Sequence, residues 1–122
     1  MHRNILTTIT AIAMVAGIGA QAADVPTRIT ANDLNLLCQS LVDKARVAMT
    51  RGDGFCLGYI VAIVDSMAGG AEIGGFKFCP PLASPSDMAN AFRRSMSTHP
   101  EMLTYGAPGA VAFALSEAYP CH

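Results

Sequence analysis

Leu34, Leu37, Cys38 and Leu41 recur three and four residues apart, the spacing of one face of an α-helix. Thr30, just ahead of them, can cap the free amides, and Asp33 favours the positive end of the helix dipole, so a first helix is expected to begin after Thr30. Its end is open. Ala45, Ala48 and Met49 continue the stripe, the rest of Val42 to Arg51 is polar or basic, and Gly52-Asp53-Gly54 is expected to stop it. From Phe55 to Ala68 almost every position is apolar: Leu57, Val61, Val64 and Ala68 form one helical stripe, and Cys56, Ile60, Ile63 and Met67 a second. The β-branched run Tyr59 to Val64 would suit a buried strand, but the apolar stretch is longer than an ordinary strand and both helical stripes fit. A central helix covered on two faces is predicted, with one face free to meet another subunit.

Polar and glycine positions punctuate the rest of the chain. Four glycines between Gly69 and Gly75 disfavour a regular element, and Pro80-Pro81 after Cys79 prevents helix continuation, so residues 69–81 read as a loop with apolar contents. Ser84-Pro85-Ser86-Asp87 is a helix start, with a cap, a proline at the first helical position and an acid at the third. Met88, Ala91, Phe92, Ser95 and Met96 give that third helix a buried stripe, Arg93 and Arg94 face outward, and His99-Pro100 ends it. Pro108 opens a fourth helix lined by Val111, Ala114, Leu115 and Ala118. The expected fold class is all-α, a small four-helix bundle-like domain.

The first 22 residues have a different pattern: Arg3, an apolar stretch from Ile5 to Ile18, then Ala20-Gln21-Ala22. That is the layout of a secretory signal peptide with a small-residue cleavage site. The apolar stretch is interrupted by Thr7, Thr8 and Thr10 and is short for a membrane span, and no cysteine adjoins the cleavage point to carry a lipid. The expectation is a signal peptide over 1–22 and a single helical domain over 23–122, located in the periplasm or secreted, with no membrane attachment after cleavage. The whole chain carries 8 Lys plus Arg against 9 Asp plus Glu; losing Arg3 takes the formal charge from −1 to about −2, which attracts neither nucleic acid nor an anionic membrane. Trp is absent and aromatics are few, so aliphatic residues and Met must fill one small core.

All four cysteines, Cys38, Cys56, Cys79 and Cys121, fall within 23–122. In an exported domain of this size an even number implies disulfides, here two. A zinc site is the rival, but no C-x-x-C pair occurs and only His99 and His122 accompany the cysteines, so no metal is expected. If consecutive helices run antiparallel, Cys79 and Cys121 both lie just past helices that end at the same end of the bundle. Cys38 would then pair with Cys56 at the other end, provided the first helix breaks soon after Leu41. If it runs unbroken to Met49, Cys38 sits about three turns from Cys56, beyond the ~6 Å that a disulfide spans. The favoured pairs are Cys38 with Cys56 and Cys79 with Cys121. Closing loops of roughly 20 and 40 residues, they are worth about 3 and 4 kcal/mol in the chain-entropy model, so complete reduction should unfold or greatly loosen a domain with about 5–15 kcal/mol in total.

Catalytic constellations are sparse. With the cysteines in disulfides no cysteine nucleophile remains; His99 at a helix end and His122 at the last residue make poor general bases. Asp33 and Asp87 read as caps, while Asp43, Asp53, Glu72, Glu101 and Glu117 read as solvated. Asp65 stands out inside the most apolar helix, yet without a second group it reads as a surface carboxylate. The glycine-rich loop lacks the Lys and Ser/Thr of a phosphate cradle, and Arg51-Gly52-Asp53 is accounted for as a turn. No cofactor is expected, and binding is a better class than catalysis.

One set of residues in order carries a resemblance: Cys56-Leu57-Gly58-Tyr59-Ile60 with Asp65, then Phe78-Cys79-Pro80-Pro81, then a helix ending in His99-Pro100, then Ala114-Leu115 leading to Tyr119-Pro120-Cys121, with Cys38 in a leucine-rich first helix. Together they resemble the Rap/Tai family of immunity proteins over nearly the whole of 23–122. The resemblance implies an exported, helical, disulfide-containing protein, often dimeric, that binds and inhibits a peptidoglycan amidase effector of a type VI secretion system. The segment between Cys38 and Cys56 is long for that pattern, and the loop from Gly69 to Phe78 is richer in glycine.

A loop held between disulfide-anchored helices loses little entropy on docking. Its side chains best able to anchor or pair, Glu72, Ile73, Phe76 and Lys77, are the candidate partner contacts, although Ile73 and Phe76 would equally serve as core. A small periplasmic stress or chaperone-like helical protein with no toxin partner is the alternative, and it would expose apolar surface on acidification. An enzyme ranks third. The apolar excess of the central helix also predicts a homodimer.

Overall fold

The computed structural model describes residues 28–42, 48–79 and 82–122. The expected signal peptide over 1–22 lies outside them, as do Asp24, Asp43, Ala45, Pro80 and Pro81. Among the described residues four α-helices follow in order: α1 (Ala31–Leu37), α2 (Arg51–Ala68), α3 (Pro85–Thr98) and α4 (Ala107–Ala118). Short 3-10 turns, Gln39–Val42 and Pro100–Thr104, follow α1 and α3. Among the described residues there is no strand, and the fold is all-α as expected.

Each of the first three helices starts at a reciprocal capping box. Thr30, Thr50 and Ser84 accept the amides of Asp33, Asp53 and Asp87, whose carboxylates accept the cap amides in return. This moves the start of α2 four residues upstream of the expected Phe55. Gly52-Asp53-Gly54 is the first turn of α2 and not a stop, because Thr50 and Asp53 at the capping-box spacing outweigh two glycines. Helix one ends at Leu37, and Ala48 and Met49 are exposed and non-helical, so of the two ends the sequence left open it is the early break that forms.

That early break brings the end of α1 against the start of α2. A β-carbon on Gly52 would lie 3.2 Å from the Leu37 carbonyl oxygen, so the absence of a side chain lets the two helix ends approach. Cys38, the residue after Leu37, and Cys56, one turn beyond Gly52, form a disulfide with Cα atoms 5.2 Å apart. Cys79 and Cys121 form the second, at 4.9 Å. The starts of α1 and α4 are tied side by side, the Ala31 amide donating to Tyr105 and the Ala107 amide to Ile29, each at 2.8 Å.

The centre of the core is α4, not the expected α2. Six of its residues are buried, among them Ala110, Val111, Ala112, Ala114 and Leu115, and it packs against α1, α2 and α3. Its alanines let three helices approach closely. Helix α2 buries one stripe, Asp53, Cys56, Ile60 and Met67, and leaves Leu57, Val61 and Val64 half-buried and Ala68 exposed. On α3 the stripe Met88, Ala91, Phe92, Ser95 and Met96 is buried as expected, whereas Arg93 is half-buried and not fully outward. Phe92, Leu34, Ile60, Met96 and Leu115 are the largest enclosed side chains, each contributing about 1.5–3 kcal/mol by its burial.

Candidate functional site

The glycine-rich segment is more ordered than a plain loop. Ile73 and Phe76 exchange both backbone hydrogen bonds at 3.1 Å, and Gly74 and Gly75 between them take φ of 62° and 80°. Two central residues at positive φ are what a tight hairpin with the native twist requires, and glycine reaches them without strain. Two of the four glycines of this segment, Gly74 and Gly75, thus build the turn, while Gly69 caps the end of α2.

Its four flanking side chains divide by face. Ile73 and Phe76 are half-buried and pack on the core. Glu72 and Lys77 are exposed and form an ion pair at 3.2 Å across the mouth of the hairpin, worth at most about 1 kcal/mol in water. The structure therefore brings all four expected contact residues into one small unit, with Glu72 and Lys77 offered to solvent and Ile73 and Phe76 anchoring it.

The hairpin rests on one line of α4. A β-carbon on Gly74 would meet the Gly109 Cα at 3.6 Å, and the Phe76 ring meets the Phe113 ring edge-on, with centroids 5.4 Å apart. One turn on from Phe113 stands Glu117, so positions 109, 113 and 117 form a single stripe at helical spacing. The His99 ring also packs edge-on against Phe113, with centroids 5.1 Å apart. Its Nε2 meets Glu117 Oε1 at 3.1 Å and its Nδ1 lies 3.4 Å from Glu101. Ser95, one turn before His99 on α3, donates its hydroxyl to Glu117 Oε2 at 3.0 Å. Glu117 thus ties α3 to α4 and is not the freely solvated acid that the sequence predicted. Ser95 and His99 share a face at (i, i+4), a legible signal; their shared acceptor, on another helix, was not.

Beside this staple, an open cleft of about 400 Å³ between α3 and α4 is lined by the small residues Ala91, Ala114 and Ala118 together with Arg94, Thr98, His99, Glu117 and Tyr119. Its chemistry is not that of a hydrolytic triad. In such a triad histidine takes the serine proton and the acid orients histidine, whereas here the carboxylate sits in the middle and receives the serine hydroxyl itself. Among the described residues no group of three or more His, Cys, Asp or Glu could hold a metal ion.

The other acids fall into structural roles. The hydrogen bonds from Thr30 and Ser84 hold Asp33 and Asp87 below the ordinary carboxylate range. Asp53, expected to be solvated, is 3% exposed and accepts the Thr50 amide at 2.6 Å and the Ser40 hydroxyl. Asp65 is exposed on α2. Burial raises the Tyr59 phenol above its usual value; its ring stacks on exposed Phe55 at 6.0 Å.

No curated protein and no solved structure shows significant similarity to the chain. The family described as Rap1a immunity proteins matches residues 30–121, a span that starts at the Thr30 cap and ends at the Cys121 disulfide. It takes in all four helices, both disulfides, the hairpin and the Glu117 staple, and on that match the chain belongs to the Rap1a immunity protein family.

Proposed function

We propose that the protein acts in the periplasm, after removal of residues 1–22, as an immunity protein that binds and inhibits a peptidoglycan amidase effector of a type VI secretion system. The family match over residues 30–121 carries this reading, since immunity families generally act by binding a cognate effector and not by catalysis. The hairpin supports it. A two-glycine turn seated on α4 presents Glu72 and Lys77 on a rigid base, so docking into an enzyme cleft immobilises little that is not already fixed. Rescue of growth tests the reading: cells exporting the cognate amidase to the periplasm should survive when this protein is co-exported and lyse when it is not. Lysis in both cases would refute it.

A second copy of the chain is the further proposed partner. Helix α2 leaves Val61 half-buried and Phe55 exposed, with Leu57 and Val64 only partly covered where they pack on the core, and small exposed residues Gly54, Gly58 and Ala62 permit close approach of another helix. A dimeric mass by light scattering at micromolar concentration is expected; a monomeric mass would contradict it.

A further inference from the structure

The two disulfides occupy opposite environments. Cys38 and Cys56 are each 0% exposed and belong to the apolar core, between α1 and α2. Cys79 and Cys121 are both exposed, and neither belongs to that core. The outer bond joins two segments that each reach it directly from the core, one through Phe78 and the other through Tyr119. Cys79 ends the stretch that carries the hairpin, and Cys121 lies in the tail beyond the end of α4 at Ala118. One backbone hydrogen bond accompanies the disulfide, from the Cys79 amide to the Tyr119 carbonyl at 3.1 Å.

We propose that Cys79–Cys121 is a reducible latch. A dithiol reductant opens it in the folded protein while Cys38–Cys56 stays oxidised, and opening parts Cys79 from the 120–122 tail without unfolding the four helices or lifting the hairpin, which Ile73, Phe76 and Phe78 hold on the core. A thiolate of the dithiol attacks the Sγ of one of these two cysteines, the S–S bond breaks, and the other cysteine leaves as a thiolate that takes up a proton. The second thiolate of the dithiol then attacks the mixed disulfide. The protein gains two thiols and the dithiol closes to its own disulfide, a two-electron exchange in balance.

Exposure decides which bond reacts, because the attacking thiolate must reach sulfur along the S–S axis. At Cys38–Cys56 that path is blocked until α1 and α2 part, so its reduction waits on an opening of the core. The outer bond should react at least about a hundredfold faster. The helices persist because their packing does not use the outer cysteines: Leu34, Ile60, Phe92, Met96, Val111 and Leu115 are enclosed by one another, and the inner disulfide still ties α1 to α2. Phe78, 4% exposed, then marks the limit of the released segment. The latch does not require that the partner be an amidase, or that there be a partner.

Graded dithiothreitol, quenching with iodoacetamide and peptide mass spectrometry would identify the thiols formed, with amide hydrogen exchange on the same samples. Label should appear on Cys79 and Cys121 alone over a wide range of reductant, with exchange rising at the Cys79 amide, which bonds to Tyr119, and unchanged in the hairpin, α1, α2 and α4. Simultaneous labelling of all four cysteines, or labelling of Cys38 and Cys56 first, would overturn the proposal. So would opening of the outer bond with no change in exchange at the Cys79 amide. A C79S/C121S double variant should keep native helicity by circular dichroism and show the same raised exchange; its failure to fold would also refute a latch separable from the core.

Discussion

The carbonyl oxygen of Leu37 lies 3.2 Å from where Gly52 would carry a β-carbon, so the end of the first helix and the start of the second meet over a residue with no side chain. Cys38 and Cys56, just beyond, are locked by their disulfide, so the carbonyl has little freedom to withdraw. Gly58, on the same helix, has nothing within 4 Å of its β-carbon position. The two glycines should therefore respond oppositely. Gly58→Ala should stabilise the domain by up to about 1 kcal/mol through helix propensity. Gly52→Ala should lose that gain to the contact and end about 1 kcal/mol less stable than wild type. Urea unfolding of the two variants checks the contrast.

The capping boxes predict an acid-sensitive share of stability. Asp33 and Asp87 are held below the ordinary carboxylate range, first by the side-chain hydrogen bonds of Thr30 and Ser84 and then by the backbone amides of the same residues. A carboxyl group depressed in the folded state stabilises it above its unfolded value of about 3.9, and that stabilisation is lost as pH falls through the lower folded value. Ser84→Ala should thus cost about 1 kcal/mol at pH 7, and its difference from wild type should shrink below about pH 3.9. Thermal melts across that range measure it; a difference that grows on acidification would be the wrong sign.

Removing the shared acceptor should cost more than removing one donor. Glu117→Ala leaves the buried Ser95 hydroxyl and the His99 ring without their acceptor and should lose about 1–2 kcal/mol. In Ser95→Ala background the same change should cost less, and a double-mutant cycle should give a coupling of about 0.5–1 kcal/mol.

Complete reduction should be far more damaging than opening the outer bond alone. Sequence separations of 18 and 42 residues correspond to about 3 and 4 kcal/mol in the chain-entropy model, and their sum is comparable with the stability of a small domain. Loss of far-ultraviolet helicity in strong reductant at moderate temperature is expected. An unchanged melting temperature with all four thiols free would show that the disulfides are dispensable.

How much of this was legible depended on the reach of each interaction. Thr30, Ser84 and the stripe of α3 follow from residues within four positions of one another, and they read correctly. Thr50 and Asp53 are equally local, but two glycines around Asp53 masked the capping box. Propensity costs of about 1 kcal/mol each lost to a cap and a buried disulfide. The two-glycine turn between Ile73 and Phe76 was likewise local, though read as loop. What no local pattern held was the identity of the central helix. The run from Phe55 to Ala68 is the more apolar on paper, yet the alanines of α4 allow closer packing, and closeness decides which helix is enclosed. Glu117 joined Ser95 and His99 only once two helices came together.

The central claim, that this fold neutralises a peptidoglycan amidase by binding it, is tested most directly by titrating the purified protein into its cognate effector while following peptide release from peptidoglycan. Inhibition should be stoichiometric, with Kd of about 10 nM or tighter, and Glu72→Lys combined with Lys77→Glu should weaken it at least about tenfold. Undiminished amidase activity at micromolar protein, with no heat of binding, would contradict that claim.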